Sequence, residues 1–206
     1  MLTAYGRPNS INAQKVHFCL EELGIAYEWV MAGMEHGVVD SPEYGRMNPN
    51  RLIPVIDDEG FVLWESNAIV RYLCARYGAG GLWPEDLQTR ASADRWMDWQ
   101  TTTFSPAFTP AFHNLVRTPE GERDLAAVEA GKRKGEAAAA ILDDWLASRR
   151  FVAGEAFTMG DIPIAAAAHR WLNLPLERRE APHLERYYRE VMQRSAAATA
   201  LALPVT

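Results

Sequence analysis

The stretch Leu52–Leu73 decides the fold of this chain and reads LIPVIDDEGFVLWESNAIVRYL. Two short apolar runs, Ile53–Ile56 and Phe61–Trp64, flank a charged turn that ends in glycine. This pattern predicts an antiparallel β-hairpin. The segment after the second run places apolar residues at helical spacing, so the whole stretch predicts strand, turn, strand and helix.

Two residues of this stretch suggest a ligand site. Pro54 lies at the start of the first strand, where a residue that cannot donate a hydrogen bond is tolerated. Ser66 follows a strand and heads a helix, so we expect its side chain to cap that helix, and the free N–H groups there can bind an anion. Together they suggest a clamp for the backbone of a small acidic peptide. On these residues alone, a loop-ending proline and a helix-capping serine are an equally good interpretation.

Length, charge and composition exclude several classes of protein. The chain has 206 residues, enough for one large domain or two small ones. Its net charge of -6 argues against nucleic-acid or anionic-membrane partners. The N-terminus has no signal-peptide pattern, and no apolar run is long enough to span a membrane. Cys19 and Cys74 lie within helical patterns and are expected to be buried in a reducing compartment, so we predict a cytoplasmic protein.

The N-terminal half predicts a mixed sheet with helices on its faces. The predicted strands Leu2–Tyr5 and Tyr27–Met31 flank a helical pattern from Ser10 to Leu23, and such a βαβ unit makes its two strands parallel. A short helix is predicted near Pro42–Met47. With the hairpin and helix of Leu52–Leu73, the order is βαβαββα, which predicts four strands in an α/β domain of thioredoxin type.

The clearest boundary is the glycine-dense segment Gly78–Pro84. We therefore expect an α/β domain over residues 1–78, a linker over residues 79–86 and an all-helical domain over residues 87–206. The helical part should begin with a long segment, Leu87–Val116. A second long helix is predicted to begin at Pro119, a residue that suits a first helical turn.

A capping pattern marks a later helix start in the helical half. Thr158 and Asp161 have the spacing of a capping box, with aspartate in place of the usual glutamate. An acidic residue in an apolar setting also suggests catalysis, but the spacing of Asp161 to Thr158 favours a structural role.

The start of the first helix is a second candidate site. Asn9, Ser10 and Asn12 lie between a strand and a helix, at the positive end of the helix dipole. A thioredoxin-like redox protein carries its reactive cysteine at this turn, yet this chain has none between Met1 and His17. The thiol would then come from a bound ligand, and Ser10 and Asn12 would hydrogen-bond its sulfur and favour the thiolate. Alternatively, Ser10 only caps the helix.

Taken together, these motifs resemble the cytosolic glutathione transferase family, with a bacterial theta-like or nu-like character. The resemblance covers essentially the whole chain and rests on Ser10-x-Asn12-x-x-Lys15-Val16, Leu20–Gly24, Asn48–Asn50, Ile53–Ile56, Trp64–Ile69 and the Thr158–Asp161 pattern. It implies glutathione as cosubstrate, no metal, and a homodimer.

The resemblance also implies a set of glutathione contacts: Asn9, Arg51, Leu52, Ile53, Pro54, Glu65 and Ser66. In the family the bond before the proline is cis, and the backbone of the preceding residue, here Ile53, pairs with the cysteinyl part of glutathione. The Glu65–Ser66 pair would hold the γ-glutamyl end. The chain departs from the family where Leu52 replaces a lysine or glutamine and Arg51 replaces a glycine. Other groups use a tyrosine near the first strand as thiol donor, which leaves Tyr5 as a third candidate behind Ser10 and Asn12.

The second substrate would bind between the halves, against the long helical segment. The candidate residues for this electrophile pocket are Trp99, Thr103, Phe104, Phe108 and His113. An aromatic stripe at helical spacing is more often part of a core or a dimer interface than of a pocket. The function expected is conjugation of glutathione to a small hydrophobic electrophile. Two alternatives remain, a glutathione-dependent disulfide reductase and a non-catalytic carrier or interaction module.

Overall fold

A computed structural model describes residues 1–205 of the chain. The strands are β1 (Leu2–Gly6), β2 (Tyr27–Met31), β3 (Val55–Asp58) and β4 (Phe61–Trp64). The α-helices are α1 (Ile11–Leu23), α2 (Pro42–Met47), α3 (Ser66–Tyr77), α4 (Leu87–Trp99), α5 (Ser105–Phe112), α6 (Leu125–Leu146), α7 (Asp161–Leu172), α8 (Pro182–Val191) and α9 (Ser195–Ala200).

The N-terminal half is a four-stranded mixed sheet with the order β2-β1-β3-β4. Strands β1 and β2 are parallel because α1 crosses between them, and β3 is antiparallel to both β1 and β4. The predicted α/β fold is therefore confirmed, as is the all-helical second half.

The hairpin is tighter than the sequence suggests. Its turn consists of Glu59 and Gly60, which both have positive φ, 56° and 93°, as a two-residue hairpin turn of this kind requires. The Asp57 carboxylate accepts a hydrogen bond from the Gly60 N–H at 2.7 Å. Strand β3 begins only at Val55, so Ile53 and Pro54 precede the strand and their backbone is left for other contacts.

Helix α1 lies between the sheet and the helical half. Phe18 and Leu20 are fully buried on this helix, which packs against α3, α7 and α9. The Sγ atoms of Cys19 on α1 and Cys74 on α3 are 3.6 Å apart in the same interior. The expectation that both cysteines are buried is confirmed.

The helical half corrects one predicted helix and refines another. The long predicted segment is α4 and α5, joined by a π-helical turn at Gln100–Phe104 and followed by another at His113–Arg117. The second long helix begins at Leu125, so the prediction of Pro119 as its first turn is wrong. The reason is a better cap downstream, because the Asp124 carboxylate accepts from the N–H groups of the first turn.

The acidic residue at the start of α7 has a structural role, as predicted, but α7 begins at Asp161 with Gly160 as its N-cap, so the predicted N-cap role of Thr158 is wrong. The Asp161 carboxylate accepts hydrogen bonds from the backbone N–H groups of Val152 at 3.0 Å and Thr158 at 2.9 Å. The Thr158 hydroxyl donates to the same carboxylate at 3.2 Å. Asp161 is fully buried and therefore does not face a ligand.

No helix within residues 1–205 is both long and apolar enough to cross a lipid bilayer.

Candidate active site

Three segments of the N-terminal half form a small pocket. They are the first turn of α1, the loop that leads into β3, and the junction of β4 with α3. The residues that line the pocket are Asn12, Asn48, Asn50, Leu52, Ile53, Pro54, Glu65 and Ser66. The structure thus brings together six of the residues predicted from sequence, and it adds Asn48 and Asn50.

The loop before β3 is fixed through its backbone. The Leu52 carbonyl accepts hydrogen bonds from the Tyr44 hydroxyl at 2.9 Å and from the Asn48 side-chain amide at 2.8 Å. The Leu52 side chain is 66% exposed, so the loop is held through the Leu52 backbone carbonyl rather than by packing of this side chain. The Ile53–Pro54 peptide bond is cis, as the resemblance implies.

The junction of β4 and α3 leaves a helix N-terminus open toward the pocket. Glu65 has a φ of 73°, a left-handed value that is uncommon for a residue with a side chain. Ser66 is the first residue of α3 rather than its cap, so the predicted capping role is wrong. No side chain caps this helix, and its first N–H groups remain available to an anion.

The Ser66 hydroxyl instead connects the helix starts of α1 and α3. It donates to Asn12 Oδ1 at 3.3 Å and accepts from Lys15 Nζ at 3.4 Å. Lys15 also donates to Asn67 Oδ1 at 3.2 Å, and Asn67 in turn donates to the Met97 carbonyl on α4 at 2.7 Å. A chain of hydrogen bonds therefore connects the pocket to the helical half.

Lys15 is a residue of the site that sequence analysis did not assign. Its side chain is 2% exposed. Burial lowers the pKa of its ammonium from 10.5 to about 7, while the nearby Glu65 carboxylate opposes this change. The signal in the sequence was a lysine between buried positions of α1, only three residues after Asn12.

The two predicted thiolate-stabilising residues lie at the start of α1. Ser10 is the N-cap, and its Oγ accepts from the Ala13 N–H at 3.5 Å, which leaves the hydroxyl hydrogen able to donate to a ligand. Asn12 lines the pocket, and because its Oδ1 accepts from Ser66, its NH₂ group can donate to a ligand. The Tyr5 ring lies 5.9 Å from the Tyr44 ring, and Tyr5 is not among the residues that line the pocket.

Two of the predicted glutathione contacts point elsewhere. Arg51 donates to the carbonyls of Val39 at 2.9 Å and Ser41 at 3.0 Å, so its guanidinium group is directed onto the preceding loop. Asn9 does not line the pocket, and its side-chain oxygen accepts from Arg7 at 2.6 Å.

The residues predicted for the electrophile pocket do not line one pocket, although Trp99, Phe104 and Phe108 pack on one another. Phe104 and Phe108 are buried in the core at 0% and 1% exposure, whereas Thr103 and His113 are exposed. Trp99 stacks on Phe104 with ring centroids 5.4 Å apart. The aromatic stripe therefore belongs mainly to the core, the alternative that the spacing left open.

The cysteines do not supply a nucleophile to this site. Both are buried, and burial raises the pKa of the Cys19 thiol well above its usual value, with the Cys74 side chain contributing further. Among residues 1–205, no three or more histidine, cysteine or acidic side chains form a group that would hold a metal ion. A thiol that reacts at the start of α1 must therefore belong to a ligand.

Comparison with known proteins agrees with this fold. Residues 9–76 match the family description "Glutathione S-transferase, N-terminal domain", and residues 95–195 match "Glutathione S-transferase, C-terminal domain". The chain is 41% identical over 208 residues to glutathione S-transferase GstB of Escherichia coli (strain K12), and the match covers 100% of both chains. It is 35% identical to glutathione S-transferase F12 of Arabidopsis thaliana, over 77% of this chain and 76% of that protein.

A solved structure of a glutathione S-transferase has the same fold as this chain. The crystal structure of the theta class glutathione S-transferase from the citrus canker pathogen Xanthomonas axonopodis pv. citri, with glutathione bound, superposes with a TM-score of 0.96. The two are 41% identical over 100% of this chain and 99% of that chain. A thioredoxin-like domain without its own cysteine nucleophile, joined to a helical domain, defines a class of transferases that use a bound thiol. The chain belongs to the glutathione transferase family.

Proposed function

We propose that the pocket formed by α1, the loop before β3 and the start of α3 binds glutathione. The open N–H groups at the start of α3 and the Ser66 hydroxyl receive the γ-glutamyl carboxylate, and Glu65 receives its ammonium group. The backbone of Ile53 pairs with the cysteinyl part. This proposal is supported by the convergence of these residues in one pocket and by the bound glutathione of the Xanthomonas relative.

The chemistry is nucleophilic substitution or addition by the glutathione sulfur. Ser10 and Asn12 donate hydrogen bonds to the sulfur at the start of α1 and stabilise its thiolate form, aided by the positive end of the helix dipole. The thiolate forms a C–S bond with the electrophile, and a leaving group such as a halide departs with the bonding electrons. The observation that carries this function is a pocket that joins Asn12, the cis Ile53–Pro54 bond and the uncapped start of α3, in a chain whose own two thiols are buried elsewhere.

Substitution of Ser10 and Asn12 tests this mechanism. Each single change to alanine should raise the pKa of bound glutathione by about 1 unit, since one donor to a charged group is lost. The double variant Ser10→Ala, Asn12→Ala should lower kcat for conjugation of an aryl halide by about 10²-fold or more. The thiolate absorbance of the bound complex as a function of pH reports the first effect directly, and Tyr5→Phe is the matched comparison.

An unchanged thiol pKa and unchanged conjugation in the double variant would exclude these two residues as the thiolate site. If Tyr5→Phe alone reproduced the loss, the donor would be the tyrosine instead.

We also propose a homodimer in the cytoplasm, with the N-terminal half of one subunit packed on the helical half of the other. The support is membership of the family, and light scattering of the purified protein measures the mass. The division into residues 1–78, 79–86 and 87–206 remains a prediction from the glycine-rich boundary.

A further inference from the structure

Three arginine side chains converge beside the start of α1. Arg170 on α7 and Arg117, which follows α5, both lie over the Phe112 ring, at 4.2 Å and 5.4 Å from its centroid. Arg7, which directly follows β1, is near both, since the charge of Arg117 lowers the pKa of Arg7 and the charge of Arg7 lowers the pKa of Arg170. These cations come from both halves of the molecule and meet where the two halves adjoin, since Arg170 donates to the Asn9 carbonyl.

The cluster adjoins the residues proposed to handle the sulfur. Asn9 accepts from Arg7 at 2.6 Å through its side chain and from Arg170 at 3.3 Å through its backbone carbonyl. Asn9 immediately precedes Ser10. On the other side, Arg7 Nε approaches Gly33 next to Ile53, since a Cβ placed on that glycine would lie 3.7 Å from Arg7 Nε and 3.4 Å from Ile53 Cδ1. The cluster therefore lies between the start of α1 and the loop that holds Ile53.

The positive charges of Arg7 and Arg170 have few counter-charges among residues 1–205. Glu35 is the carboxylate whose charge acts on Arg7. Burial, together with Arg117 and Arg7, lowers the pKa of Arg170 to about 10. Within the part of the chain that the structure describes, the Nε atoms of Arg7 and Arg170 are buried and have no hydrogen-bond partner. Buried donors of this kind are almost always satisfied in a protein, so a planar anion is the group that fits them.

We propose that the electrophile of this transferase carries a carboxylate, which Arg7 and Arg170 bind while the glutathione sulfur attacks the reacting carbon. The proposal rests on the proposed glutathione-dependent function and replaces the expectation of a purely hydrophobic second substrate. The guanidinium groups orient the substrate and take no part in bond changes. The thiolate forms the C–S bond, the carbon–halogen bond breaks, and the halide leaves with the electron pair.

A pair of conjugates that differ only in charge tests this. S-(4-carboxybenzyl)glutathione and S-(4-carbamoylbenzyl)glutathione have the same shape, and isothermal titration measures the affinity of each without chemistry. The wild type should bind the carboxylate at least about 10-fold more tightly, because hydrogen bonds to a charged group are the strong ones. Arg7→Gln and Arg170→Gln should each remove most of this preference and change the affinity for glutathione itself by less than about 2-fold.

Two further variants distinguish an anion site from a structural role. Arg170→Lys keeps the charge and should retain part of the preference for the carboxylate conjugate. Arg133→Gln, on the exposed face of α6, should leave the affinity for both conjugates unchanged. Equal affinity of the wild type for the two conjugates would overturn the proposal while leaving the glutathione function intact. An equal loss of both conjugates and of glutathione in the arginine variants would also overturn it, since the cluster would then serve glutathione or the fold. Failure of the wild type to bind any of the three compounds would overturn both proposals.

Discussion

Burial gives Lys15 a chemistry that its residue type alone does not indicate. An exposed lysine is charged at every physiological pH, but the Lys15 amine is held between Ser66 and Asn67 and has a pKa of about 7. Its charge therefore responds to any anion that binds at the start of α3. We therefore expect Lys15 to position the proposed glutamyl end of the ligand and to take no part in bond changes.

We expect ligand binding to be coupled to proton uptake at Lys15. Near pH 8 the amine of the free protein is mostly neutral, since its pKa is about 7, and a carboxylate bound nearby raises that pKa and favours the ammonium form. Binding of S-methylglutathione, which has no thiol to release a proton, should then take up part of a proton. Isothermal titration in two buffers of different ionisation enthalpy measures this uptake.

The matched variants for this test are Lys15→Met and Lys134→Met. The first should abolish the uptake and the second, at an exposed position of α6, should not. Equal uptake in all three proteins would show that another group binds the proton.

Among the helices, the start of α7 depends on one carboxylate. Burial raises the pKa of Asp161 from 3.8 to about 6, and the hydrogen bonds from Val152 and Thr158 only partly offset this change. A raised pKa in the folded state means that the folded protein binds more protons between these two values. Deprotonation of Asp161 therefore lowers the free energy of unfolding as the pH rises from about 3.8 to about 6.

The variant Asp161→Asn should lower the free energy of unfolding by about 1–3 kcal/mol, because an amide cannot accept all three hydrogen bonds. This loss of free energy of unfolding should be largest near pH 3.8 and should shrink as the pH rises toward 6, because the variant has no carboxyl group at position 161 to titrate. Urea unfolding at several pH values measures this, with Asp144→Asn on the exposed face of α6 as control. A pH-independent deficit would show that the carboxylate is ionised throughout.

The contact between α5 and α6 depends on glycine for a different reason. A Cβ on Gly131 would lie 2.7 Å from the Ala111 backbone nitrogen, a distance at which the two helices must move apart. Ala111 immediately precedes Phe112, over which Arg117 and Arg170 of the arginine cluster lie. The close approach of these helices therefore also sets the position of that cluster.

Gly131→Ala should destabilise the protein by about 1–3 kcal/mol through overpacking, although alanine favours a helix by about 1 kcal/mol. Gly121→Ala is the matched control, because a Cβ there meets nothing within 4 Å. Thermal and urea unfolding of both variants measure the difference. A stabilised Gly131→Ala variant would mean that the helices separate without loss of packing.

At the level of the whole molecule, the two halves share one hydrophobic core. The Phe18 ring of α1 lies 5.7 Å from that of Phe157, just before α7. Glu22 on α1 forms an ion pair with Arg194 before α9, and Asn67 bonds to the Met97 carbonyl on α4. The sheet domain therefore buries one side of α1 and the helical half buries the other.

We expect the two halves to unfold together. The far-ultraviolet circular dichroism, which is dominated by the helical half, and the fluorescence of the tryptophans in both halves should give coincident urea transitions. The variant Asn67→Ala should move both curves by the same amount. Two separate transitions would show that the halves are independent folding units.

The sequence by itself determined the order of the elements and the chemical class of the site. Local patterns sufficed for much of this, since the hairpin within Leu52–Leu73 and the Thr158–Asp161 pattern depend on neighbours only a few residues away, and the βαβ unit follows from the order of its three elements. The absence of a cysteine before His17 is also visible in the sequence alone, and it led to a thiol supplied by a ligand. The helix start at Leu125 was missed because the Asp124 cap competed with a proline that equally suits a first turn.

Only the tertiary structure decided which side chains meet. It removed Arg51 from the pocket, placed Phe104 and Phe108 in the core, and showed that Ser66 bonds to Asn12 and Lys15 rather than capping its own helix. It also brought together Arg7 and Arg170, which are far apart along the chain and share no motif. The physical reason is that burial and charge at the cleft depend on the packing of α1, α5 and α7 against one another, and the local sequence pattern of each helix does not contain that packing.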